Sequence, residues 1–177
     1  MQCYYHVQAQ IEMLPHIKQE MTEEMTEHLA GMMSLPQPID DNMSAEQKAF
    51  KWFKLAAEQG NVIAQWNLGA CYQYGRGVAK NEEEAVKWYK LAAEQGFAIA
   101  QNNLGYCYHH GIGTVKNDKE AFKWYKLAAE QGDAIAQKNL GDCYRYGRGV
   151  TKNTEEAFKC FKLAADQGIA TARIELG

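Results

Sequence analysis

The chain has 177 residues, a formal net charge of −3 and an isoelectric point near 6.0. This balance provides no overall basic field for nucleic acid or anionic lipid. The sequence has no run of about 18 apolar residues that could cross a membrane, and polar residues interrupt Met1 to Leu14, so no signal-peptide core is expected there. We therefore expect a cytoplasmic protein whose partners include neither nucleic acid nor a membrane.

Residues 1–43 differ in composition from the rest of the chain. They contain all seven methionines, all three prolines, and one lysine against seven acids. Apolar side chains three and four residues apart predict an amphipathic helix over residues 16–33; they are Ile17, Met21, Met25, Leu29 and Met32. Two interpretations of this acidic, Met-rich segment remain open: the helix caps the first repeat helix, or it is an adaptable docking helix.

From residue 44 onward the sequence repeats. Gly60, Gly96, Gly132 and Gly168 follow one another at intervals of 36 residues, a period typical of a solenoid whose units bury their apolar faces only against neighbours. We expect an all-α solenoid of antiparallel helix pairs over residues 44–177. It divides into a half unit 44–60, full units 61–96, 97–132 and 133–168, and a truncated unit 169–177.

The second helix of each unit has a recognisable start and stop. A Ser or Asn precedes a Gln or Glu by three residues, which is the spacing of a capping box, and each segment ends at one of the repeated glycines. The four pairs are Ser44 and Gln47, Asn81 and Glu84, Asn117 and Glu120, and Asn153 and Glu156. Because Ser44 lies one residue earlier than the 36-residue register, we expect that helix to be one position longer.

The first helix of each unit is predicted over residues 61–74, 97–110 and 133–146. Gly69 in its interior costs about 1 kcal/mol relative to Ala unless another backbone must come close. We expect it to face Ala92 and Ala93, so that the two helices of a pair approach closely. The predicted buried stripe of the second helix is Ala85, Trp88, Tyr89, Ala92 and Ala93, with its counterparts in the next unit.

The sequence offers no recognisable catalytic, cofactor or metal motif. It contains no glycine-rich phosphate loop, no Ser, His and Asp set, and no His-Glu-x-x-His. The cysteines number five, and three of them occupy one repeat column, Cys71, Cys107 and Cys143. We expect buried, reduced thiols, since free Cys behaves as a small hydrophobe. No cofactor and no enzymatic activity are therefore expected.

The repeated motif resembles the Sel1-like repeat, a relative of the tetratricopeptide repeat. It reads Ala64-x3-Leu68-Gly69-x2-Tyr72-x2-Gly75-x-Gly77-Val78, then Ala85-x2-Trp88-Tyr89-x2-Ala92-Ala93-x2-Gly96. The resemblance covers about three quarters of the chain. It implies right-handed superhelical stacking and a role as an adaptor that holds partner proteins; members of that family occur in signalling, protein quality control and cell-wall assembly.

Three departures from the family pattern affect the interpretation. Cys160 and Phe161 stand where a Trp-Tyr pair is expected, so the last unit should be the weakest. With one cysteine per unit, the disulfide-bridged secreted branch of the family is not supported. The sequence stops at Gly177, part-way through a first helix, so we expect a fragment of a longer array or a frayed end, and self-association through uncapped solenoid ends is a further expectation.

Comparison of the units separates packing from recognition, because columns that vary on the first helices are available to a partner. The varying columns contain Trp66, Asn102 and Lys138; Ala70, Tyr106 and Asp142; and Gln73, His109 and Arg145. A repeated amide column, Asn67, Asn103 and Asn139, is suited to hydrogen bonding with an extended peptide. The alternative is solvated polar surface, or amides that bond to the next helix.

The sequence therefore predicts a non-catalytic scaffold or adaptor that binds a peptide or protein on the face of its first helices. The alternative is a fragment or regulatory repeat region of a larger signalling protein whose catalytic domain lies elsewhere. The partner itself is not indicated.

Overall fold

The computed structural model describes residues 42–175, so the amphipathic helix predicted over residues 16–33 lies outside the described residues. All regular elements within that range are α-helices, in the order α1 Ala45–Glu58, α2 Val62–Tyr74, α3 Glu82–Glu94, α4 Ala98–His110, α5 Asp118–Glu130, α6 Ala134–Tyr146, α7 Thr154–Asp166 and α8 Ala170–Ile174. The first helices of the units are α2, α4, α6 and α8, and the second helices are α1, α3, α5 and α7. The predicted all-α solenoid of antiparallel helix pairs is confirmed.

Side-chain caps begin the second helices where the sequence placed them. Ser44 and Gln47 form a complete capping box, and α1 has 14 residues where α3 has 13, as expected from the earlier cap. At Asn81 the cap oxygen accepts from the Glu84 amide at 3.1 Å. The predicted capping box is incomplete there, because the Asn81 N–H donates to the Tyr72 carbonyl at 2.8 Å. The Glu84 carboxylate bonds to Lys87 instead.

A glycine inside each first helix lets an aromatic ring lie against the backbone. A Cβ on Gly69 would stand 2.7 Å from the Tyr89 ring and 3.2 Å from the Ala85 carbonyl oxygen. Gly105 meets Tyr125 in the same way, and Gly141 meets Phe161. The close approach predicted at Gly69 is therefore present, but the group that fills it is the Tyr89 ring rather than the Ala92-Ala93 step.

The loop of each unit rests on the second helix of the preceding unit. Gly77 has a φ of +68°, and a Cβ there would lie 2.2 Å from the Glu46 carbonyl oxygen in the first turn of α1. Gly113 and Gly149 make the same approach to Glu82 and Asp118. Neighbouring units thus contact through backbone, and any side chain at these glycines would separate them.

The core is a succession of small clusters along the array. One contains Ala57, Ala64 and Leu68, and the largest brings Tyr89, Leu104 and Trp124 together across two units. Edge-to-face ring pairs recur between units, with centroids 5.4 Å apart for both Phe50–Tyr72 and Phe122–Tyr144. Each unit therefore completes its neighbour's core, as expected of a repeat solenoid.

Buried glutamines join the units by hydrogen bonds that the sequence analysis did not anticipate. Gln101 is 4% exposed; its Nε2 donates to the Ala93 carbonyl at 3.1 Å, and its Oε1 accepts from Gln131 Nε2 at 2.7 Å. Gln65 and Gln137 are placed alike, with Gln95 and Gln167 as their donors. Both glutamine columns repeat every 36 residues, and this regularity could have identified them in the sequence.

The cysteines of the described residues are free and buried; they are Cys71, Cys107, Cys143 and Cys160. Burial raises the pKa of Cys71 and Cys160 to about 11 and that of Cys107 and Cys143 to about 12. Thiolates are thus disfavoured at neutral pH, and the prediction of buried, reduced thiols is confirmed for these four residues.

Candidate functional site

The first-helix face, defined by the varying and amide columns of α2, α4 and α6, differs from unit to unit. Trp66 packs edge-to-face on Phe97 at 5.9 Å, and its indole Nε1 is buried without a hydrogen-bond partner among the described residues. Asn102, one unit on, is 8% exposed. Lys138, at the same position in the third full unit, pairs with Asp142 at 2.5 Å. The column therefore contains a half-buried aromatic ring, a buried amide and an ion pair in turn.

The three amides of the repeated asparagine column make three different contacts within the molecule. Asn67 Nδ2 donates to the Ile63 carbonyl of its own helix at 2.9 Å. Asn103 lies beside the Tyr89 hydroxyl, where it opposes the rise in the Tyr89 pKa that burial causes, and Asn139 Nδ2 donates to Asn102 Oδ1 at 3.0 Å. An asparagine side chain offers two N–H donors and a carbonyl, so each half-buried amide retains further bonding capacity. Their use by a partner stays a prediction.

At the loop end of the face, Gln73, His109 and Arg145 each hold a neighbouring group. Gln73 Oε1 accepts from the Tyr89 hydroxyl at 2.6 Å. His109 Nδ1 lies 2.6 Å from Asp118 Oδ1. Arg145 pairs with the Glu175 carboxylate and donates to its backbone oxygen at 2.7 Å. Tyr106 completes the predicted set, its ring 4.2 Å from that of His110.

The contacts of His109 are those of a histidine with a structural role rather than a catalytic one. With Asp118 on Nδ1, the Nε2 atom faces Arg148 Nη1 at 3.4 Å, whereas a general base would need a hydroxyl or thiol there. In the part of the chain that the structure describes, no group of three or more His, Cys, Asp and Glu side chains is placed to hold a metal. This face can offer aromatic, amide and charged contacts to another molecule.

Three residues outside the predicted set lie beside it: His110, Lys116 and Arg148. His110 and Arg148 stand in columns that also vary between units, Tyr74/His110/Tyr146 and Arg76/Ile112/Arg148. The sequence signal was therefore present, but the loop return that brings Arg148 of one unit onto His109 of the preceding unit is a tertiary contact.

The outer face of the second helices is chemically uniform by contrast. Lys87 pairs with Glu84, Lys123 with Glu120, and Lys159 with Glu156, always three residues apart on the same helix. Such exposed pairs are screened by solvent and contribute little to stability, and they repeat in all three full units. They distinguish no unit from another.

Comparison with known proteins identifies the repeat. The family described as Sel1 repeat matches residues 44–61, 62–97, 98–133 and 134–169. No curated protein matches. Among residues 42–175, no helix is long and apolar enough to cross a membrane.

Several solved structures are similar to this chain. A protective antigen of uropathogenic Escherichia coli, with an SLR fold, is 39% identical with a TM-score of 0.72, over 74% of this chain and 28% of the antigen. A Sel1 repeat protein from Oxalobacter formigenes is 45% identical with a TM-score of 0.70, over 73% of this chain and 54% of its own. Helicobacter pylori cysteine rich protein B, 23% identical with a TM-score of 0.59 over 76% of this chain and 96% of its own, shares the fold. The match thus spans about a quarter of the antigen and about half of the second protein.

Proposed function

Because this chain belongs to the Sel1 repeat family, we propose that it is a non-catalytic scaffold or adaptor that binds a peptide or protein on its first-helix face. The observation that carries this proposal is the contrast between faces. Most residues of the buried core repeat from unit to unit, as Leu68, Leu104 and Leu140 do, whereas the first-helix face changes from Trp66 to Asn102 to Lys138 along a single column. Variation on one face of a uniform scaffold suits the recognition of one partner.

The chemistry of the first-helix face supports a partner that combines apolar and polar groups. Trp66 and Tyr106 are half-buried rings, of the types enriched among residues that dominate binding energy. Asn67, Asn103 and Asn139 add amide donors and acceptors, which can engage the backbone of an extended peptide. These groups stand on packed helices, so ordering them on binding should cost less than ordering a loop.

Photo-crosslinking of the full chain tests where the partner binds. A photo-crosslinkable residue in place of Tyr106 or Lys138 reports on the first-helix face, and the same residue in place of Lys87 or Lys123 reports on the outer face as a matched control. We expect the first-helix positions to capture one protein that the outer positions do not capture, with identification by mass spectrometry. Equal capture from both faces would contradict the proposal.

Cytoplasmic location and self-association remain part of the proposal. The free, buried state of Cys107 and its counterparts suits a reducing compartment. Phe158 is 55% exposed, although Phe122 in the same column packs on Tyr144 of the next unit. An apolar side chain at this end supports stacking of a second copy as the route of self-association.

A further inference from the structure

Basic side chains gather where the second full unit meets the third. We call His109, His110, Lys116 and Arg148 the junction cluster. The two imidazole centroids are 4.6 Å apart, and Arg148 Nη1 reaches back from the following loop to within 3.4 Å of His109 Nε2. A Cβ on Gly111 would lie 3.4 Å from Lys116 Cβ, so the loop folds Lys116 back against the end of α4.

The acids near the junction cluster do not neutralise it. One unit earlier, Lys80 pairs with Glu82 at 2.7 Å. Asp118 occupies the position equivalent to Glu82, but it is held by His109 at 2.6 Å. Lys116 consequently makes no ion pair with any acid of residues 42–175. Arg148 also has none there, and its guanidinium lies 4.8 Å from the centroid of the Tyr146 ring.

The charged groups around His110 include both signs, with the basic ones in the majority. Burial lowers the pKa of His110 below its ordinary value, and the positive charges of His109, Lys116 and Arg148 lower it further, with Asp118 alone opposing them. The negative end of the α4 dipole is partly masked, because the Cys107 and Tyr108 carbonyls accept from the amides of Ile112 and Asn117 at 3.0 and 2.8 Å. The junction cluster therefore presents excess positive charge.

We propose that the partner of the first-helix face is an acidic peptide, and that the junction cluster binds one of its carboxylate side chains. This inference rests on the proposed scaffold function. Lys116 and Arg148 would supply the charge-assisted hydrogen bonds, and Tyr106 and Tyr146 stand on either side as aromatic surfaces for the flanking peptide.

A peptide fits the neighbourhood better than a nucleic acid does. Asp142 and Glu175 lie on the same face, and each is occupied by an ion pair with Lys138 or Arg145. A continuous phosphate backbone would run past these carboxylates, since its charges recur every few ångströms. A peptide can place single carboxylates at the junction cluster and neutral groups elsewhere.

Binding of a carboxylate should be linked to protonation of His110. In the free chain Lys116 and Arg148 oppose the charged form of the His110 imidazole, and a bound carboxylate would favour that form instead. The pKa of His110 should therefore rise on binding, and the complex should take up a proton. Affinity is then expected to increase as pH falls, within a window of about pH 5 to 7.

Fluorescence anisotropy with labelled hexaglutamate tests the charge preference, with hexaglutamine as the uncharged probe. We expect the full chain to bind hexaglutamate more tightly, and Lys116→Gln/Arg148→Gln to weaken that binding about tenfold. The matched control, Lys51→Gln/Lys162→Gln, removes the same charge from exposed lysines of the second helices. It should change the affinity for hexaglutamate by less than about twofold. Equal effects of the two double variants would overturn the inference.

The pH profile of the same titration tests the role of His110. We expect hexaglutamate binding to tighten about three- to fivefold from about pH 7.5 to about pH 6, and His110→Gln to abolish the change while circular dichroism remains native. Tightening that survives in His110→Gln would contradict the linkage.

Two further outcomes separate this inference from the scaffold function. If the crosslinked partner binds Lys116→Gln/Arg148→Gln as tightly as it binds the unaltered chain, the acidic-peptide inference fails and the scaffold stands. If oligothymidylate of matched charge binds more tightly than hexaglutamate and loses affinity in the same variant, the occupant is a nucleic acid and the inference is wrong.

Discussion

At the residue scale, the buried glutamine column shows how a polar side chain can hold neighbouring units together. The Gln101 amide has partners on both of its polar atoms: it donates to Ala93 of the preceding unit and accepts from Gln131 of its own unit. A buried amide without partners would cost about 1–3 kcal/mol. The bond to Ala93 helps to fix the separation of adjacent units, and the bond from Gln131 holds the Gln101 side chain in place for it.

The first prediction follows from that pairing. Gln101→Met keeps the length of the side chain but removes both hydrogen bonds, so we expect a loss of about 1–2 kcal/mol in the free energy of unfolding. Urea denaturation followed by circular dichroism measures it. The matched control is Lys123→Met, on the exposed side of α5, for which a change within about 0.5 kcal/mol is expected. A loss at Gln101 no larger than at Lys123 would mean that the glutamine column does not stabilise the array.

At the scale of single residues, predictions from the sequence were correct where the interaction involves residues close together in the chain. The cap at Asn81 is set by residues three positions apart, which a sequence displays directly. The predicted partner of Gly69 was wrong, because the rotation of the two helices against each other decides whether Tyr89 or Ala92-Ala93 faces the glycine. The Asp118 contact of His109 likewise depends on the path of the intervening loop.

At the element scale, the helices differ in how far their neighbours cover them. Helices α4 and α5 have a complete helix pair on each side. Helix α7 carries the exposed Phe158, and it packs against α8, which has five residues. Cys160 there replaces the indole that Trp124 contributes to the neighbouring cluster. A helix with fewer buried apolar contacts opens at lower free energy.

The second prediction concerns local opening. Hydrogen exchange of backbone amides should be faster in α7 and α8 than in α4 and α5, by a factor of about ten or more, because fewer contacts must break for the terminal helices to open. Mass spectrometry of peptic peptides from the full chain resolves these segments. Equal protection across α4 to α7 would show that the last unit is as stable as the central ones.

At the scale of the whole described array, we propose that stability and recognition use different columns of the same repeat. The 36-residue period, the helix pairs and most of the buried stripe were predictable, because each follows from spacing that recurs along the chain. Trp88, which was predicted to be buried, is half-buried. The distribution of charge on the first-helix face was less predictable. Lys80 and Lys116 occupy one column, yet Lys80 is paired and Lys116 is not, since Asp118 is taken by a histidine present in one unit.

The separation of these roles is the central claim of this account, and affinity for the crosslinked partner tests it most directly. Isothermal titration should show that Tyr106→Ala weakens binding by about tenfold or more, with the same unfolding midpoint as its outer-face control, Lys123→Ala, for which affinity should stay within about twofold. Unchanged affinity in Tyr106→Ala, together with a loss in Lys123→Ala, would place recognition on the second helices and contradict the account.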